Sequence, residues 1–150
     1  MQTLPIRLTP GQDLRQAIEA AVVAHQCQAA FVVCGIGSLS EAGLRFSGVD
    51  QAQRLTGDLE ILSLSGSVAM QRSDTGEQVG SAHLHMAVST STGQVVGGHV
   101  VHGCTVRTTA EVLLALLPDW DFTREHDVTT GYKELVVRPN APIAEGYMAP

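Results

Sequence analysis

Between residues 29 and 103 the apolar residues come in short runs, each closed by glycine or by turn residues. Such runs predict strands and leave no room for long helices. Residues 29–35 (Ala-Ala-Phe-Val-Val-Cys-Gly) form one run, stopped by Gly35 and Gly37, and residues 41–46 alternate weakly. Residues 60–68 read as another strand, with Gly66 as a candidate bulge. Asp74-Thr75-Gly76 reads as a turn. The runs 82–89 and 95–103 flank Ser91-Thr92-Gly93, and a three-residue loop ending in glycine suits a hairpin. Residues 132–137 read as a last strand.

Two helices frame these strands. Asp13, followed by Gln16, makes a capping box, although Thr9 with Pro10 offers an earlier start. Leu14, Ala17, Ile18, Ala21, Val22 and His25 then recur at intervals of three and four, giving one apolar stripe. Thr108-Thr109-Ala110-Glu111 is a second capping box, opening an expected helix over 112–117 that Pro118 ends. Strands between two helices predict an α+β fold with a mostly antiparallel sheet. One domain over 1–138 is expected, followed by a loose tail over 139–150 marked by Pro139, Pro142, Gly146 and Pro150.

Composition narrows the function classes. Hydrophobic residues make up 44% of the 150 and charged residues 16%, too apolar a mixture for disorder. No apolar run reaches the roughly 18 residues of a membrane-spanning helix, so no membrane role is expected. Met1-Gln2-Thr3-Leu4-Pro5 shows no secretory pattern. Cys27, Cys34 and Cys104 are odd in number and lack a Cys-x-x-Cys spacing, so buried thiols in a reducing cytoplasm are expected. Nine basic residues against fifteen acidic ones give a net charge of −6, and Lys133 is the one lysine. A nucleic-acid binder gains affinity by displacing counterions with concentrated positive charge, and this chain should repel DNA in bulk.

The candidate site is a set of histidines. His83 and His85 are two apart in a strand and share a face. Pairing across Ser91–Gly93 puts His85 opposite His99 and His83 opposite Val101, with opposed side chains about 5 Å apart. Gly97 and Gly98 leave room above the backbone before His99. Three imidazoles with an open fourth position make a catalytic-type zinc geometry, and neutral imidazole is the ligand form. A one-residue slip of register would turn His99 away. His102 has the wrong parity, and His25 and His126 read as structural.

Smaller candidates accompany them. Glu60 shares parity with Leu62 and Leu64, so its carboxylate is expected on an apolar face, where such groups often serve function. Arg45 could anchor an anion. Glu111 reads as a capping carboxylate first. Gly35-Ile36-Gly37-Ser38 is a glycine-rich turn without the third glycine or following helix of a phosphate cradle.

Taken in order, Gly35-Ile36-Gly37-Ser38-Leu39, Leu44-Arg45, residues 60–66 (Glu-Ile-Leu-Ser-Leu-Ser-Gly), His83-Leu84-His85, Gly97-Gly98-His99 and Thr108-Thr109-Ala110-Glu111 resemble the plants-and-prokaryotes-conserved (PPC) domain. The likeness runs from about Leu4 to Arg138. It implies an α+β domain that assembles as a homotrimer. Plant members join this domain to AT-hook segments and bind DNA in the nucleus. Prokaryotic members of the stand-alone type are regarded as DNA-binding by that association. This chain has no Arg-Gly-Arg-Pro hook, and Asp58 and Leu59 replace the Arg-Phe of the stretch through which plant members meet partner proteins. The fold is also similar to acetolactate decarboxylase, a zinc lyase that takes its metal on a His-x-His pair and a later histidine after two glycines. By that likeness His83, His85 and His99 are the matching ligands of zinc or another divalent transition metal, and the likeness extends no further; Glu60 and Arg45 stand as candidate substrate or supporting residues on the residue pattern alone.

Three functions follow as expectations. The first is a cytoplasmic DNA-binding or regulatory module that meets DNA weakly or through a partner protein, with a metal or small-molecule ligand on the histidine face. The second is a metal-dependent carbon–carbon lyase acting on a small oxygenated acid, the metal polarising a carbonyl. The third is a purely structural trimer. An apolar surface including Leu84, Val95 and Val101 is expected to serve assembly.

Overall fold

The computed structural model of the protein describes residues 1–140. Nine elements follow one another: β1 (Gln2–Leu8), α1 (Leu14–Ala24), β2 (Ala29–Arg45), β3 (Gln53–Arg72), β4 (Gln78–Thr90), β5 (Val95–Val100), β6 (Thr105–Leu116), β7 (Trp120–His126) and β8 (Lys133–Pro139). The first six strands form an antiparallel sheet in the order β1-β6-β2-β3-β4-β5. β2 is long enough to curl round, and its last residues pair with β5 (Leu44 with Val100, Arg45 with His99). The strands β2 to β5 therefore close on themselves. β7 and β8 form a separate hairpin.

The two faces of the sheet are covered differently. α1 starts where the capping box predicts: the Asp13 carboxylate accepts the Gln16 N–H at 2.8 Å. The buried stripe Leu14, Ile18 and Val22 joins Leu84, Met86 and Val88 of β4 in the main core. On the opposite face the β7–β8 hairpin rests on β3 and β2, where Phe122 packs on Ala29 and Ala69 and meets Phe31 edge-on at 5.4 Å.

Several expectations are corrected. The second helix is a strand. β6 pairs with β2 over most of its length and with β1 over Ala110–Leu116, so its apolar end, Val112–Leu116, is a buried central strand. A continuous apolar run this short fits either element by pattern, and the β-branched Thr105, Val106, Thr108, Thr109 and Val112 favour the sheet. The Thr109 hydroxyl donates to Glu111 Oε1 at 3.1 Å, with no helix to cap. The fold thus has one helix of this kind among the described residues.

β1 has no clear pattern signal because Pro5 interrupts it, and it lies at the sheet edge, where proline is tolerated. Gly35 and Gly37 do not end a strand; β2 passes through both. Gly66 is not the bulge. The register of β3 against β4 shifts between Ile61 and Ser63 instead. Gly66 has φ +151°, and a Cβ there would fall 2.0 Å from the His83 carbonyl oxygen, so only glycine lets β4 approach. Cys27 and Cys104 are buried, but Cys34 is exposed. Leu84 is fully buried under α1 and forms no outer surface. The expected tail falls, for residues 141–150, outside the described residues.

Candidate metal centre

The loop after β4 sets the site. Gly93, in the left-handed region at φ +79°, closes the turn through its N–H to the Thr90 carbonyl. That turn fixes the register in which His85 pairs directly with His99. On the other side of the sheet row, His99 pairs with Arg45, and His85 with Ser65. Arg45, His99, His85 and Ser65 thus stand side by side across four strands, with His83 and its partner Ser67 in the next row of the same face. Gly98 makes the closure possible: a Cβ there would lie 2.8 Å from the Arg45 carbonyl oxygen.

The three imidazoles converge. Ring centroids lie 5.1 Å apart for His83–His85 and for His83–His99, and 5.8 Å apart for His85–His99. One nitrogen of each falls within 4.8 Å of the others, the one such group of metal-type donors among the described residues. The His83 and His85 Nε2 atoms are 3.2 Å apart. Two nitrogens bound tetrahedrally to zinc at 2.0–2.1 Å would stand about 3.3 Å apart, so this pair already has the spacing of metal ligands.

Electrostatics favour the uncharged form of His83 and His99. Burial pulls the pKa of His83 below the ordinary histidine value, assisted by the Arg124 guanidinium and His85. Burial, with His83, Arg45 and Arg15 behind it, pulls His99 down to about 4. Desolvation also lowers the pKa of Arg124, whose Nη2 donates to Ser67 Oγ at 2.9 Å.

The candidate residues separate cleanly. His83, His85 and His99 come together, with Arg45 beside His99. Glu60 does not join them. It is exposed and pairs with Ser89, four positions along β4 from His85. The shift between Ile61 and Ser63 breaks the parity, so Leu64 is buried while Glu60 and Leu62 point outward. His102 meets Glu19 at 3.2 Å, away from the cluster, and His25 binds the Ala21 carbonyl at the end of α1.

Sequence reasoning missed Arg15, Glu19 and Arg124. Arg15 and Glu19 form an i,i+4 pair at 3.0 Å, a spacing visible in the sequence. Glu19 also accepts the Ala82 N–H at 3.0 Å, which ties α1 to β4 one residue before His83. Arg124 carries no sequence signal, because only the docking of the hairpin brings it to Ser67.

An antiparallel α+β sheet that presents three histidines on two adjacent strands defines the class. The sequence profile of the Plants and Prokaryotes Conserved (PCC) domain matches residues 1–118, and the chain belongs to that family. Among curated proteins, the "Bifunctional protein GlmU" of a Synechococcus species is 41% identical over 94% of this chain, which spans only 21% of that relative's length. Among solved structures, a hypothetical protein of Salmonella enterica is 35% identical with a TM-score of 0.82, covering 93% of this chain and 95% of its own. A metal-containing protein of Archaeoglobus fulgidus is 27% identical with a TM-score of 0.75, over 91% and 94% of the two chains. A Ralstonia eutropha protein named "Putative DNA-binding protein" is 26% identical with a TM-score of 0.69, over 88% and 89%. The likeness to acetolactate decarboxylase finds no counterpart in these relatives.

Proposed function

We propose that this domain is a metal-binding interaction module that holds one divalent transition metal, zinc by preference, on His83, His85 and His99. The observation that carries the reading is the convergence of three imidazole nitrogens within 4.8 Å. An all-imidazole donor set suits zinc and related divalent ions. The Archaeoglobus neighbour, a metal-containing protein of the same fold, supports it. With three protein ligands, a fourth position is left for water or a ligand oxygen, and the metal would polarise whatever oxygen binds there.

The name of the Ralstonia neighbour raises DNA as a partner. With a net charge of −6 and one lysine, any DNA role of this chain is weak and sequence-independent, or runs through a partner protein. The family resemblance supports a homotrimer, and the exposed Val33, Ile36 and Leu62 are apolar surface that further copies would cover. The cysteine usage supports a cytoplasmic setting; no helix among the described residues is long and apolar enough to cross a membrane. A second reading, a metal-dependent lyase on a small oxygenated acid, is favoured by one observation, Arg45 paired beside His99.

The test is metal content after zinc loading and exhaustive washing. One zinc per chain is expected, falling to none in the His83→Ala/His85→Ala/His99→Ala variant. Zinc-free wild type, or a triple variant that keeps its zinc, would refute the reading. A titration of the same protein with random and AT-rich duplexes at physiological salt is expected to show weak binding without preference.

A further inference from the structure

A chain with fifteen acidic and nine basic residues concentrates four of the basic ones in one place. Arg15, Arg45, Arg124 and Lys133 line a cavity of about 580 Å³ beside His83 and His99, and Glu134 is the one acidic residue on its wall. The four cations come from four elements, α1, β2, β7 and β8, so no local run of sequence reveals the cluster. Two of them are held in place. Arg15 donates from Nε to Glu19 at 3.0 Å and from Nη1 to the Val100 carbonyl at 2.8 Å. Arg124 is fixed by Ser67. Each guanidinium has five N–H donors, so these anchoring bonds leave others for a ligand.

Like charges gathered in a concave site repel one another unless something negative joins them, and low-dielectric walls focus their field on the space between. The volume falls within the roughly 300–1,000 Å³ range of small-molecule sites. Arginine's planar fork matches carboxylate and phosphate oxygens in pairs.

We infer that this cavity binds a small molecule carrying a carboxylate or phosphate group, the oxyanion held by Arg45 and Arg124 with Arg15 and Lys133 behind them, and the rest of the molecule reaching the histidine cluster. The inference rests on the metal reading for that last contact only; the arginine part stands on its own. The hairpin supplies half of the cationic wall, so its docking and the ligand's binding are coupled.

Calorimetric titrations with malonate and with inorganic phosphate, on zinc-loaded and metal-free protein, test it. Binding of one of the two anions is expected, and the stronger binder identifies the headgroup. The Arg45→Gln and Arg124→Gln variants should each weaken it at least about tenfold, as loss of a hydrogen bond to a charged group does. Their zinc stoichiometry should be unchanged. Arg45 makes no side-chain hydrogen bond within the described fold, so Arg45→Gln keeps the test valid even where Arg124→Gln loosens the hairpin. Arginine-dependent anion binding without any zinc uptake would sustain this inference and overturn the metal reading. A protein that takes up one zinc yet binds neither anion at millimolar concentration, or binds it equally well in both variants, would overturn the inference and leave the metal reading intact.

Discussion

Along β4, Ala82, Leu84, Met86 and Val88 point into the core under α1, while His83 and His85 alternate with them on the other face. One strand therefore carries a core face and a candidate site at a spacing of a single residue. The core face is closed by apolar burial that water cannot compete with. The histidine face is left partly open, the β7–β8 hairpin covering it at Ala29, Ala69 and Ser67. Stability should belong to the first face and chemistry to the second, so substitutions one residue apart should separate them.

The sharpest break comes from Leu84→Ala beside His85→Ala. Leu84 is fully buried, and its truncation is expected to cost about 2–5 kcal/mol by lost burial and cavity formation. His85 is exposed, and its removal should change chemical unfolding by less than about 1 kcal/mol. Equal effects in denaturant melts would show that the two faces are not separable.

A smaller effect is expected at the helix entrance. Asp13 Oδ1 caps α1 through Gln16, and Oδ2 accepts the N–H groups of Gly103 and Cys104 at 2.6 and 3.1 Å. Asp13→Ala should cost about 1–2 kcal/mol on the core side and leave metal content unchanged. Zinc lost along with stability would show that the helix side governs the histidine side.

The smallest effect is on the hairpin. The Arg138 guanidinium, with its Nη1 2.7 Å from Glu125 Oε1, holds the Glu125 carboxyl below its ordinary pKa. A depressed folded-state value means that the pair stabilises above the unfolded carboxyl's pKa and loses that contribution as pH falls through the folded one. The pair is exposed, so the gain is slight. The stability difference between wild type and Arg138→Gln should be small and positive at neutral pH and vanish in acid; a difference that grows on acidification would contradict the assignment.

The legible part of the fold is what neighbours in sequence determine. The cap at Asp13, the stripe of α1 and the His85–His99 pairing all follow from spacing and loop length within one or two elements. The rest depends on partners far away in the chain. Residues 112–116 are a strand because β1 and β2 flank them, and the six-residue apolar run 112–117 cannot announce its neighbours. Glu60 faces outward while Leu64 is buried because a single register shift at Leu62 reverses parity, and shifts leave no pattern of their own in a sequence. Arg15 and Arg124 reach the histidine face from a helix and a hairpin that no local pattern connects to it.

A metal held by the three histidines can be seen directly. Crystals of zinc-loaded protein, measured on both sides of the zinc absorption edge, would locate the ion. A single anomalous peak is expected, about 2.0–2.1 Å from one nitrogen each of His83, His85 and His99. A peak elsewhere on the molecule, with the three rings unligated, would contradict the account.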